Sequence, residues 1–140
     1  MNHYTAEALG KLVEQFEAGT LPHSQWTHSA HLLVALWYCF QAKDGQALDL
    51  IRLGIKRYNA AVGVASTETA GYHETVTIFW FRTVSRFLET RPDRPLNEIA
   101  AELVSEYAYR KGFFSEYYSF DLMESTTARR HWVEPDLKPI

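Results

Sequence analysis

The sequence predicts an all-α fold: a single up-down helical bundle of about five helices, closed by a C-terminal wrap of short helical turns and an extended tail. Three observations carry this. Apolar residues recur at helical spacing in five separate segments. Candidate caps and Gly or Pro stops bracket most of those segments. No segment alternates polar and apolar residues long enough for a strand, Val62-Gly63-Val64 being too short.

The first helix is expected from about Thr5 to Glu17, with Leu9, Leu12, Val13 and Phe16 on one face. Gly19 stops it, because glycine is favoured just past a helix end. After Thr20-Leu21-Pro22-His23, Ser24 is the expected cap of a second helix reaching Ala42. Lys43-Asp44-Gly45 breaks the pattern. The third helix is expected from about Ala47 to Ala61, and a polar loop follows from Gly63 to Ala70. Thr69 is the expected cap of a fourth helix, from Ala70 to Leu88. Arg91-Pro92-Asp93-Arg94-Pro95 cannot continue a helix. The fifth helix runs from about Leu96 to Tyr109, with Gly112 as its stop. Phe113 to Ile140 reads as short turns, then an extended tail at Glu134-Pro135-Asp136.

The length of 140 residues is that of one domain, and 46% apolar with 22% charged residues is a globular composition. Residues 1–140 are therefore read as one helical domain. A net charge of −3 gives no basic field for phosphate backbones, so no nucleic-acid partner is expected. The single cysteine, Cys39, excludes an internal disulfide and suits a reducing cytoplasm. No signal peptide is visible in the first residues. The longest apolar run, Leu32 to Phe40, is about half a membrane span, so no membrane partner is expected. The aromatic excess could fill a core and a homodimer face.

Six histidines are present. His3, His23 and His131 fall in terminal or loop-like contexts. His28 and His31 are three residues apart on the second helix and share a face. His73 falls near the start of the fourth, with Glu74 beside it. In an up-down bundle the second and fourth helices run parallel, which brings all three imidazoles to one end. Neutral imidazoles on facing helices suit a divalent metal such as Zn²⁺, Fe²⁺ or Ni²⁺. His28, His31 and His73 are therefore the candidate ligands, with Glu74 a fourth ligand or a general base on metal-bound water. The alternative is a metal-free polar cluster, since buried histidines also bond carbonyls and tyrosine hydroxyls.

The segment after the fifth helix is expected to lid this cluster. Arg129 offers a planar donor fork for an anionic group, and Tyr118 and Ser125 offer hydroxyls. Tyr72 and Trp26 flank the histidines in sequence and complete the candidate ligand-binding set. Arg129 has a second reading, as a pin for the tail through Glu124, Glu134 or Asp136. Cys39 reads as a small core residue.

Trp26-Thr27-His28 with Ala30-His31-Leu32, then Gly71-Tyr72-His73-Glu74-Thr75, Tyr118-Ser119, Ala128-Arg129 and Glu134-Pro135-Asp136-Leu137 resemble a family of small uncharacterised bacterial proteins. The resemblance spans about Phe16 to Leu137 and implies no particular activity. A looser architectural likeness is to the DinB-like bundles, which hold a metal with three histidines from different helices. Two functional expectations follow. One is a metal-dependent hydrolase or transferase acting on a small anionic molecule. The other is a metal-free small-ligand-binding module, or a structural protein with no active site.

Overall fold

Leu32, Leu33, Val34, Ala35 and Leu36 are all buried, so more than a full turn of the helix that carries them has no solvent stripe. A helix apolar all round belongs in the middle of a fold. That helix, α2 (His28–Gln41), packs against α1 (Ala6–Ala18), α3 (Gln46–Ala61), α4 (Glu74–Glu89) and α5 (Leu96–Tyr107). The short α6 (Thr126–Arg130) lies against α4. The computed structural model describes residues 4–42 and 45–140. Among these there are six α-helices, three short 3₁₀ turns (His23–Gln25, Phe113–Glu116, Leu122–Glu124) and no strand. His3 and the break expected at Lys43-Asp44 lie outside the described residues.

The outer helices show the amphipathic pattern. α1 buries Leu9, Val13 and Phe16, and Thr5 caps it by accepting a hydrogen bond from the Ala8 N–H at 3.1 Å. Gly19 ends it in the left-handed region at φ 72°. A side chain is excluded there on two counts, since a Cβ on Gly19 would also lie 2.7 Å from Ala61 Cβ. Each buried leucine, valine or phenylalanine side chain stabilises the fold by roughly 1.5–3 kcal/mol.

Two helix starts differ from the sequence expectation. α2 begins after Thr27, whose Oγ1 accepts from Ala30 N–H at 3.2 Å; Ser24 sits instead in the preceding 3₁₀ turn. Ser24 and Thr27 are both good caps locally, but Ser24 lies inside the 3₁₀ turn that ends at Trp26, whose ring stacks on Phe16 and on His31. α4 begins after His73, not after Thr69. Gly71 at φ +88° interrupts any helix from Ala70, and a Cβ on Gly71 would lie 2.6 Å from the Ala65 carbonyl oxygen. The His73 imidazole is itself the cap: its Nδ1 accepts from Val76 N–H at 3.1 Å.

The tail is fastened along α4 and the 113–124 segment. Thr75, fully buried, donates its hydroxyl to the His131 carbonyl at 2.8 Å and accepts from Val133 N–H at 3.1 Å. Tyr118 donates to the Val133 carbonyl at 2.6 Å, and Leu137 N–H donates to the Tyr117 carbonyl at 2.9 Å. No helix among the described residues is long and apolar enough to cross a membrane.

Candidate functional site

The N-terminal halves of α2 and α4 line one cavity of about 540 Å³. Its size falls within the range of small-molecule sites. α2 supplies His28, His31, Leu32, Val34 and Ala35, with Trp26 and Thr27 just before it. α4 supplies Val76, Thr77, Trp80 and Phe81, and α3 supplies Ile51 and Ile55. The chain after α5 closes the space with Lys111, Gly112 and Phe114, and Met123 adds to the rim. The lining is mostly apolar and aromatic, and it contains no carboxylate.

The turn before α2 fixes the chemistry of His31. Nδ1 lies 2.7 Å from the Thr27 carbonyl oxygen, which can only accept, so Nδ1 carries the proton. Nε2 is left with its lone pair. The ring stacks on Trp26 with centroids 3.8 Å apart. Burial pushes the His31 imidazole down to about 4; the Thr27 carbonyl opposes this, while His28 and Lys111 add to it. His28 meets the edge of Trp80 at 4.7 Å. Its pKa is lowered too, first by burial and then by the Lys111 ammonium, against the Tyr107 carbonyl. His28 Nε2 is buried and has no hydrogen-bond partner among the described residues. Such an orphan in a cavity wall is the kind of group a ligand or water satisfies.

His73 is elsewhere. With Nδ1 engaged by Val76, its Nε2–H donates to the Leu122 carbonyl at 2.8 Å. Both nitrogens are occupied within the fold, and His73 does not line the cavity. The expected meeting of three imidazoles therefore reduces to His28 and His31. The cause is the helix start: as cap rather than second-turn residue, His73 faces its own first turn. Among the described residues no three His, Cys, Asp or Glu side chains converge as a metal-ligand set.

Glu74 also points away from the lining. Its Oε1 accepts from the Tyr72 hydroxyl at 2.6 Å and from Arg52 Nε at 3.0 Å. Burial pushes its pKa up, but the Tyr72 hydroxyl and the Arg52 guanidinium outweigh burial and hold it below the ordinary carboxylate value. Tyr72 is occupied by that bond and by Lys56 over its ring at 4.8 Å. Tyr118 is occupied by Val133, and Ser125 caps α6 by accepting from Ala128 N–H at 3.1 Å. Arg129 is 5% exposed and lies outside the lining. It pins the tail, but through carbonyls rather than carboxylates: Nη1 donates to Gly71 at 3.1 Å and Nη2 to Met123 at 3.3 Å. Of the residues expected at the site, Trp26, His28 and His31 line the cavity.

Lys111, Trp80, Phe81 and Ile55 were not anticipated as site residues. Trp80 carried a signal, standing seven positions after His73 on the apolar face of α4. Lys111 carried almost none, because a cation just past a helix end reads as solvated. The neighbouring Arg110 is held by Glu106 and Glu116, while Lys111 has no carboxylate partner among the described residues. Burial pushes the Cys39 thiol up to about 12, with Glu89 adding to the shift, as suits a core residue. The chain matches no protein-family model, no curated protein and no solved structure, so its two histidine motifs are read from their own geometry.

Proposed function

We propose that the protein is a small-ligand-binding module that takes an apolar molecule into the cavity between α2, α3 and α4 without a metal. The observation that carries this reading is an aromatic-lined cavity of about 540 Å³ with one buried, unpartnered imidazole nitrogen in its wall. The donor set favours binding over metal chemistry. Two imidazoles are the metal-ligating groups on the lining, and the third expected histidine has both nitrogens engaged. Acid-base catalysis is disfavoured as well. An imidazole with a pKa of about 4 is a weak base near neutral pH. The Glu74 carboxylate is held by Arg52 and Tyr72, away from the lining.

Titration with methyl 2-naphthoate, a flat uncharged probe, tests the reading through the fluorescence of the lining tryptophans, Trp26 and Trp80. Saturable quenching that Ile55→Trp or Val76→Phe abolishes, with helicity intact, supports it. Zinc, iron or nickel copurifying at one ion per chain, and lost in both His28→Ala and His31→Ala, would replace it with the metal reading.

A further inference from the structure

Resting on the binding reading above, we propose that the cavity's ligand is an organic acid with a flat apolar body, its acid group met by Lys111. Charge comes first. The lining holds one cation and no anion, so a cationic ligand finds repulsion and no partner, whereas an acid finds an ammonium with no competing carboxylate. Hydrogen bonding adds a polar contact on the ligand body: His28 Nε2 is buried and unpartnered, and a hydroxyl or N–H of the ligand satisfies it while Lys111 takes the acid group. His31 sets the orientation. Its Nδ1–H is held by the Thr27 carbonyl, so Nε2 presents a lone pair that repels carboxylate oxygens and accepts from a hydroxyl or N–H on the ligand body. The remaining surface is shaped for a ring system: Trp80 and Phe81 from α4, Ile51 and Ile55 from α3, and Phe114 beyond Lys111. Aromatic rings and branched aliphatic side chains favour flat apolar bodies by area and by stacking geometry.

The test compares 2-naphthoate with methyl 2-naphthoate by calorimetry on the full chain. These share the ring body and differ in the charge. Lys111 is exposed, so the preference for the acid should be about fivefold, the upper range for an exposed ion pair. It should shrink at high salt. In Lys111→Met the preference of the acid over the ester should vanish. An ester that binds as tightly as the acid, or a preference that survives Lys111→Met, overturns the acid assignment alone. The binding reading then stands, provided Ile55→Trp or Val76→Phe still blocks the ester. Failure of both probes to bind, or binding untouched by both filling variants, overturns the binding reading and the acid assignment with it.

Discussion

His73 uses both ring nitrogens, one to cap α4 and one to hold the Leu122 carbonyl, and this requires the neutral tautomer with its proton on Nε2. Burial, together with the Arg129 guanidinium, holds its pKa below the ordinary histidine value, against the Leu122 carbonyl. Replacing it separates the two bonds. His73→Asn keeps a cap acceptor but loses Leu122, leaving a buried carbonyl unpaired at a cost of roughly 1–3 kcal/mol. His73→Phe loses the cap as well, adding about 1 kcal/mol. Urea unfolding of the two variants should rank them in that order; equal stability would mean that the cap bond contributes nothing. Arg129 is a second residue whose role is decided by its partners. Arg129→Ala should lower stability by roughly 2 kcal/mol or more, because the Gly71 and Met123 carbonyls lose their donors. The same variant should leave methyl 2-naphthoate binding by the folded protein unchanged. A selective loss of affinity would return Arg129 to the site.

At the scale of elements, each histidine motif turns out to be a helix start with a different task. Trp26-Thr27-His28-Ser29-Ala30-His31 caps α2 and aims two imidazoles at the cavity. Gly71-Tyr72-His73-Glu74-Thr75 caps α4 and fastens the chain around it: Tyr72 and Glu74 to α3 through Arg52, His73 to Leu122, and Thr75 to the tail. Thr75→Val keeps the shape but removes the hydroxyl that joins the His131 carbonyl and the Val133 N–H. The tail should then open locally before the bundle unfolds. Amide exchange at Val133 and Leu137 should accelerate, while α2 amides remain protected. Uniform acceleration along the chain would show that the tail and the bundle unfold as one unit. Thr27→Ala should cost about 1 kcal/mol through the lost α2 cap. The Thr27 carbonyl still holds His31, so probe binding should persist.

For the whole molecule, three imidazoles with lowered pKa values make stability depend on pH. A histidine whose folded pKa lies below its unfolded value of 6.5 binds fewer protons folded than unfolded between the two values. Stability is therefore full above about pH 6.5 and declines as pH falls. For His31 the decline continues to about pH 4 and amounts to roughly 3 kcal/mol. Protonation also sets a new cation beside Lys111 for His28 and His31, and beside Arg129 for His73. Urea unfolding from pH 7.5 down to pH 4.5 should show the loss starting near 6.5, before most carboxylates titrate. A flat profile down to pH 5 would contradict it. The sequence by itself determined the all-α class, the run of long helices, the stop at Gly19 and the proline break between α4 and α5. These depend on apolar spacing and on residues whose backbone limits act within a few positions. It did not determine where α2 and α4 start: Ser24 and Thr27 are locally comparable caps, and Thr69 is locally a better cap than His73, which the turn at Gly71 overrides. Nor did it determine which histidines share a wall. His73 Nε2 is held by a carbonyl 49 positions away, and Arg129 bonds a carbonyl 58 positions away. Only the tertiary structure decided these, because buried polar groups take the partners that packing brings to them, and no local pattern records which partners those are.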